Sequence, residues 1–485
     1  MWYNVNVFLS KENICMRKTK IICTLGPAVD DEKKLAKMIQ AGMDCARFNF
    51  SHGTHEEQKI RMDRLRKVSK ELDIPVAILL DTKGPEIRLK DFEKGSVVLE
   101  KGQTFTLDTD SYTPGNKNRI GLSYDKLSQF VTVGADILID DGKIALEVTA
   151  IEGDNVICKV INGGKISNRK SINLPNQNIP MPYISAIDKA DILFGISQNV
   201  DFIAASFVRN GDDVKKLRKL LKDNGGEHIQ IISKIENGQG VKNLEEIIEL
   251  SDGIMVARGD LGVEISFEKI PAIQKQLIEA CNAKGKIVIT ATQMLESMTQ
   301  NPRPTRAEVS DVANAIYDGT TAIMLSGESA AGQYPVEAVK TMSKIAQTAE
   351  ADIDYYTAFE RDHTLMEPNI INAVCASAYS AAEYLDAAAI IVMTRSGRTA
   401  KTLASFHPPC PIIAVTMEDK GVHQLKLTWN VTPLESAELD SPDALLEYAL
   451  ERARASKIVR KGDKVIALLA SDLHCDNNIM RICVV

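Results

Sequence analysis

The chain has no CxxC pair and no short-range cysteine spacing, although nine cysteines are scattered from Cys15 to Cys483. An odd number without a framework argues against a structural zinc site and for reduced thiols in the cytoplasm. Cys23, Cys158 and Cys375 lie in apolar runs, where a small buried hydrophobe is the expected role. Basic charge is not in excess: 58 Lys and Arg stand against 65 Asp and Glu, a net charge of −7. No global positive field recruits nucleic acid, so any anionic ligand must be held by local cations. No apolar run approaches the ~18 residues that span a bilayer, and no membrane association is expected. Internal repeats and low-complexity segments are lacking too. Residues 1–15 have neither a basic start nor a small-residue cleavage site, so no signal peptide is expected. They read as an N-terminal tail or a misplaced start.

What is present is a long chain of ordinary globular composition, 485 residues with 44% hydrophobic and 25% charged. That is too long for one core and suggests two to four domains. Eight β-type runs with polar C-terminal ends occur at residues 20–25, 45–50, 76–81, 202–207, 230–235, 253–257, 286–292 and 321–326. Segments 31–41, 56–71, 211–224, 267–283 and 306–317 carry apolar residues near helical period. Strand alternating with helix implies parallel pairing, and eight such units imply a closed (β/α)8 barrel.

One gap breaks the rhythm. Between the third and fourth runs lie short Val/Ile/Thr-rich stretches at 96–100, 104–108, 135–139, 143–151 and 155–160, separated by Gly, Asp and Asn. That texture predicts an inserted antiparallel β-domain. After a helical zone at 335–358, strand-like runs return at 389–394, 412–416, 431–434, 465–470 and 482–485, as in an open α/β sheet. The expected division is a barrel over 16–87 and 184–358, an inserted lid over 88–183 and a C-terminal α/β domain over 359–485.

Two runs end abruptly in charge: Ile231-Ile232-Ser233-Lys234-Ile235-Glu236-Asn237 and Val256-Ala257-Arg258-Gly259-Asp260. Lys234 and Glu236 are two apart, so on a strand they point the same way. Two carboxylates beside a lysine suit a divalent cation holding an anionic substrate, with the ammonium facing the charge that moves. Taken alone they also read as a surface salt bridge. Catalytic groups of such barrels gather where strands end. Here those ends read Gly26-Pro27, Arg47-x-Asn49-x-Ser51-His52, Asp81-Thr82-Lys83, Ser206, Lys234-x-Glu236, Arg258-Gly259-Asp260, Thr292-Gln293 and Ser326-Gly327-Glu328. Eight segments deliver one polar rim, which favours the metal-and-phosphate reading.

These stretches resemble the pyruvate kinase family. The likeness is carried by Thr24-Leu25-Gly26-Pro27, Ala46-Arg47-Phe48-Asn49-Phe50-Ser51-His52-Gly53, Asp81-Thr82-Lys83-Gly84-Pro85-Glu86-Ile87-Arg88 and residues 232–240, 257–264, 290–298 and 324–330. The resemblance implies a TIM barrel with an inserted small β-barrel and a C-terminal α/β domain. It also implies transfer of the phosphoryl group of phosphoenolpyruvate to ADP, the last step of glycolysis, by a cytoplasmic homotetramer. Glu236 and Asp260 are then expected to hold Mg²⁺ or Mn²⁺. The amides of Gly259 and Asp260 with Thr292 would hold the substrate carboxylate, Arg47 the phosphate, and Lys234 the transferring group. Asn49, Ser51, Asp81 and the Thr82 carbonyl match the family's K⁺ ligands. Glu86, where K⁺-independent members carry lysine, predicts K⁺ dependence. Arg88 and Lys170 match the ADP phosphate positions, with Asn49, Pro27, His52 and Asp141 nearby. The proton that completes pyruvate comes from Thr292 or from water near it and Ser326; both stay open.

Thr394, Ser396, Gly397 and Thr399 lie between a strand and a helix pattern and resemble the family's sugar-phosphate effector loop. Helix caps use the same residues for local reasons. The second half of that pocket departs from the family: Ser471-Asp472-Leu473-His474-Cys475-Asp476 replaces a Gly-rich loop, and its acids oppose a bisphosphate. A monophosphate and no effector are both left open. Thr321 replaces an Asp, Ser171 a Gly and His407 an Arg of the family pattern. A Mg²⁺-enolate lyase on the same barrel would lack the insert, the K⁺ ligands and Lys170. A silent paralogue would lack one of Lys234, Glu236, Asp260, Arg47 or Thr292, and all five are present.

Overall fold

The computed structural model describes every residue except 1–16, 111, 176, 178, 363–367, 417–418, 437–440 and 471–476. The expected N-terminal tail and the altered loop at 471–476 therefore lie outside the described residues. Eight parallel strands close into a barrel: Lys20–Thr24 (β1), Cys45–Asn49 (β2), Ala77–Asp81 (β3), Phe202–Ala205 (β4), Gln230–Ile235 (β5), Gly253–Ala257 (β6), Ile287–Ala291 (β7) and Ala322–Leu325 (β8).

Strand periodicity builds two cores here. Ile22, Cys45, Leu79, Phe202, Ala204, Ile232, Met255, Ile289 and Met324 fill the inside of the barrel. Their neighbours Ile21, Cys23, Ala46, Phe48, Ile203, Ile231, Ile254, Val288 and Ile323 face the surrounding helices. Alternation of side chains along each strand sends every second residue inward. Leu427 of the C-terminal domain belongs to the inner cluster and closes its lower end.

Helix starts follow local capping chemistry. Thr54, Ser185 and Thr305 form capping boxes for His55–Leu72, Ala186–Ser197 and Arg306–Tyr317, each satisfying amide groups that a helix start leaves orphaned. The helical zone expected over 335–358 is two helices, Pro335–Ala351 and Tyr355–Asp362. Its apolar pattern continues across a chain turn, so periodicity could not see the break.

The insert holds a sheet of seven strands whose two edges come together, and a two-stranded sheet of Ser96–Leu99 with Gly164–Ser167. Ile87–Arg88 and Arg119–Gly121 lie at opposite ends of the order. Lys90 N–H donates to Gly121 O at 2.9 Å, Ser123 N–H to Arg88 O at 2.9 Å, and Leu89 bridges Leu122. The result is a small β-barrel with its own core, around Phe105, Ile137, Leu146 and Cys158. The C-terminal domain is a five-stranded sheet, parallel except for the edge strand Ile479–Val484.

At the lower rim, a repeated device ties neighbouring strands. Asp44, Asp201 and Asp252 each precede a strand and accept the amides of Ile21 (3.0 Å), Ile78 (2.7 Å) and Ile231 (2.8 Å). Thr321 takes the fourth such place, accepting Val288 N–H through its hydroxyl at 3.1 Å. Two of the aspartates also bind the C-terminal domain, Asp44 through Lys426 (3.2 Å) and Asp201 through Lys420 (3.0 Å). Among the described residues, no helix is long and apolar enough to cross a membrane.

Candidate active site

The inward alternation decides what stands at the upper mouth. Two residues above Ile22, Cys45, Leu79, Ala204 and Ile232 come Thr24, Arg47, Asp81, Ser206 and Lys234. They form one connected layer. Arg47 Nη1 donates to Thr24 Oγ1 at 3.0 Å and its Nε to Asp81 Oδ2 at 2.6 Å. Lys234 Nζ donates to Asp81 Oδ1 at 3.1 Å and to Ser206 Oγ at 2.7 Å, and lies 2.9 Å from Glu236 Oε1. Ser206 Oγ reaches Thr82 O at 2.7 Å, and the other Glu236 oxygen accepts Phe207 N–H at 2.6 Å.

Asp81 and Glu236 are 1% exposed and Lys234 8%, so water screens these charges little and they must compensate one another. Burial alone would raise Asp81, but Arg47 and Lys234 carry it below the ordinary carboxylate range. Burial opposes the Lys234 ammonium, yet Asp81 and Glu236 outweigh it and raise its affinity for the proton. Glu236 goes the other way: burial, with the charges of Asp260 and Asp81, pushes it up to about 7 against the pull of Lys234. Burial, with Asp141 and Asp81, also raises Asp260 against Lys234. Glu236 and Asp260 lie near enough that each carboxylate acts on the other.

The layer thus sets two cations, Arg47 and Lys234, against three carboxylates, Asp81, Glu236 and Asp260. A divalent cation held between Glu236 and Asp260 would turn this deficit into a net positive site for an anion. The donor set is hard oxygen, two carboxylates with room for other ligands, as Mg²⁺ prefers. No group of three or more His, Cys, Asp or Glu suited to a metal occurs among the described residues.

The loop after β7 is set by Arg258, the first residue of the short helix Arg258–Glu264. Its guanidinium bonds Thr292 O at 2.6 Å, Ala291 O at 3.2 Å and Asp311 at 2.7 Å. Thr292 and Gln293 are held at φ 68° and 54°, a conformation that non-glycine residues adopt at a cost. Thr292 Oγ1 accepts Gly259 N–H at 2.8 Å and donates to Ala291 O at 2.6 Å. Two of the three expected carboxylate-holding groups, the Gly259 amide and the Thr292 hydroxyl, are therefore each other's partners in this structure.

Asn49 and Asp81 are register partners on β2 and β3, and Phe50 N–H donates to Asp81 O at 3.0 Å. Asn49 Oδ1 accepts Ser51 N–H at 3.0 Å, and Thr82 follows Asp81 directly. The four expected K⁺ ligands thus sit at the adjacent ends of β2 and β3. His52 is exposed in the same turn.

On the lid, Arg88 and Ser171 are register partners, which sets Arg88 beside Lys170. Arg88 is held by Glu86 at 2.7 Å and by Arg169 O at 3.0 Å, and Lys170 by Asp140 at 2.8 Å. The lid turn overhangs the helix Arg258–Glu264: a Cβ built on Gly142 would meet Val263 at 4.0 Å. A cleft of about 500 Å³ runs beneath, lined by Glu86, Asn173, Arg209, Asn237, Asp260 and Glu264.

One rim residue has another task. Glu328 is fully buried and accepts the amides of Leu295 (3.0 Å) and Ser326 (2.7 Å), so it shapes loops and does not face the cleft. Ser206, the centre of the layer, carried no charge to mark it. In the C-terminal domain Thr394 Oγ1 accepts Gly397 N–H at 2.9 Å, Gly397 caps the helix Arg398–Ser405 at φ 76°, and Thr399 is buried. Ser396 lines a groove of about 1340 Å³ shared with Lys284, Lys286, Arg398 and Lys401.

A family model described as pyruvate kinase, barrel domain, matches residues 16–339, and one described as pyruvate kinase, alpha/beta domain, matches residues 372–483. The chain is 48% identical over 472 residues to the pyruvate kinase of Clostridium acetobutylicum, covering 97% of this chain and all of that one. It is 49% identical over 452 residues to the pyruvate kinase of Geobacillus stearothermophilus, covering 93% of this chain and 77% of the other. A crystal structure of a pyruvate kinase from Cryptosporidium parvum superposes with a TM-score of 0.92 at 41% identity, covering 96% of both chains.

Proposed function

The chain belongs to the pyruvate kinase family, and from that premise we propose how its barrel mouth transfers a phosphoryl group from phosphoenolpyruvate to ADP, giving pyruvate and ATP. Such transfer requires positioning and charge neutralisation more than covalent help. Glu236 and Asp260 would hold Mg²⁺ or Mn²⁺. When bound, that ion neutralises charge on the substrate's carboxylate and phosphate oxygens. Arg47, oriented by Thr24 and Asp81, presents its planar fork to the phosphate. Lys234, kept charged by Asp81 and Glu236, faces the oxygen on which charge develops as the phosphoryl leaves.

Gly259 N–H and Thr292 Oγ1 would exchange their mutual hydrogen bond for the substrate carboxylate. Arg88 and Lys170, with His52 and Asn49 at the rim, would take the nucleotide, and the lid over them would exclude water. Thr292, strained and adjacent to Ser326's loop, is the group assigned to hold or relay the enolate proton. A K⁺ ion would be held by Asn49, Ser51, Asp81 and the Thr82 carbonyl, adding positive charge beside Arg47. The observation that carries the reading is the Arg47–Asp81–Lys234–Glu236 chain of contacts.

Regulation and assembly are proposed from the C-terminal domain. Ser396 and Gly397, with Thr394 and Thr399 fixing their loop, would bind an effector phosphate; the four cations lining the groove beside Ser396 support an anion there. A homotetramer is supported by the exposed apolar edge strand, where Ile482 is 55% and Val484 70% exposed, since a bare edge strand invites pairing. A cytoplasmic setting is supported by six described cysteines that are free and buried. Formation of pyruvate from phosphoenolpyruvate and ADP, coupled to NADH oxidation and run with and without Mg²⁺, tests the reading; no Mg²⁺-dependent pyruvate would refute it.

A further inference from the structure

The barrel and the lid have separate hydrophobic cores. No shared core fixes the angle between them, so polar contacts must. One stands out on the helix that carries Asp260. Glu264 lies four residues after Asp260, one helical turn along the same face. Its Oε1 accepts from Asn173 Nδ2 at 3.1 Å. Asn173 belongs to the lid's exit segment, where the strand Ser171–Asn173 begins just after Lys170. Asn173 is 9% exposed, and a charge-assisted bond in such surroundings is stronger than one in water. Farther along, Arg209 bonds Met181 O at 3.0 Å while its other side is held by Asp213. The exit segment is thus pinned at two points on the barrel, and the Glu264 pin is the one nearest both the metal carboxylate and the nucleotide lysine.

We propose that Glu264 is a positioning residue for phosphoryl transfer, setting the distance between the lid's Lys170 and the metal-holding Asp260. The proposal rests on the site reading above. Glu264 touches neither substrate nor metal; it acts through Asn173. Its loss should affect the steps that need the lid and spare those that need the barrel alone.

The test compares Glu264→Ala, Glu264→Gln, Asn173→Ala and the Ala/Ala double variant with the parent enzyme. Four quantities are read: kcat, KM for ADP, Mn²⁺ affinity, and the exchange of pyruvate methyl protons with D2O in the absence of nucleotide. For Glu264→Ala, kcat/KM for ADP should fall by about 10- to 100-fold, the scale of a 1 Å misplacement. Mn²⁺ affinity and methyl exchange should stay within about threefold, because the barrel groups are untouched. Glu264→Gln keeps an acceptor oxygen and should recover most of the loss. Asn173→Ala should show the same ADP-selective defect, and the double variant should be no worse than Glu264→Ala alone. Equal losses in Mn²⁺ affinity and ADP use, additive single effects, or unchanged ADP kinetics would overturn the proposal. If Glu264→Ala does not fold, Asn173→Ala with the Gln variant carries the same comparison. A parent enzyme that forms no pyruvate refutes the site reading instead.

Discussion

Lys234 Nζ lies 3.1 Å from Asp81 Oδ1 although their strands, β5 and β3, do not touch. The strand between them, β4, offers at that height only the short side chain of Ser206. A serine there leaves space for the lysine to cross to the aspartate, and its hydroxyl fills the gap between them. One small residue thereby couples Arg47 of β2, through Asp81, to the lysine of β5 and the carboxylate Glu236 above it.

Replacing Ser206 tests that coupling. Ser206→Ala removes a donor to Thr82 O and an acceptor for Lys234 in a buried site, which costs about 1–3 kcal/mol for each group left unpaired. Urea unfolding should show a loss of that order. Turnover should fall by about 10- to 100-fold as Lys234 loses its fixed direction. Unchanged unfolding and turnover would mean the hydroxyl is incidental.

Glu86 leads to a prediction of potassium dependence. This carboxylate holds Arg88 at 2.7 Å and supplies no positive charge near Asn49, Ser51 and Asp81. Activity should be at least about tenfold higher in K⁺ than in Na⁺ buffer, since a bound cation is among the largest local charges in such a site. Glu86→Lys should restore activity in Na⁺ while raising KM for ADP, because Arg88 loses its partner. Equal rates of the parent enzyme in the two buffers would contradict the assignment.

The lower rim gives a prediction about pH. Burial would raise Asp44, but Arg17 and Lys426, then Lys20, hold its carboxyl well below the usual range. A group whose folded pKa is depressed contributes stability above its unfolded value, about 3.9, and loses it as pH falls through the folded pKa. Asp44→Asn should therefore cost on the order of 3 kcal/mol at pH 7, the usual penalty for breaking a buried pair. The gap to the parent should narrow as the pH is lowered below about 4. Urea unfolding of both proteins at pH 7 and near pH 3 measures it; a gap independent of pH would contradict the assignment.

The eight barrel strands were legible because each is an apolar run ended by a polar residue, and their bounds differ from expectation by a residue or so. The strands Ile87–Arg88 and Ser171–Asn173 were not, since two or three residues cannot display a period. Lys234, Glu236 and Asp260 could be read because charge ending an apolar run is conspicuous. Ser206 could be placed on the rim but, being uncharged, showed no role there, and the Asn173–Glu264 contact joins residues 91 positions apart. The departures at Thr321 and His407 gain a physical meaning only in three dimensions. Both line one small cavity between barrel and C-terminal domain, where the His407 ring meets Trp429 edge-on at 4.5 Å. Thr321 performs with a hydroxyl the amide-capping task that aspartates perform at Asp44, Asp201 and Asp252.

The division of labour at the mouth, carboxylates for the metal and lysine for the moving phosphoryl, is tested most directly by Lys234→Met. Its turnover at saturating Mn²⁺, phosphoenolpyruvate and ADP is measured beside its Mn²⁺ dissociation constant. The expected result is a fall in turnover of at least about a thousandfold, as for loss of a charged group at a developing oxyanion, with Mn²⁺ bound at least as tightly as by the parent enzyme. Turnover within about tenfold of the parent enzyme would contradict the role given to Lys234, and loss of Mn²⁺ binding would contradict its separation from the metal.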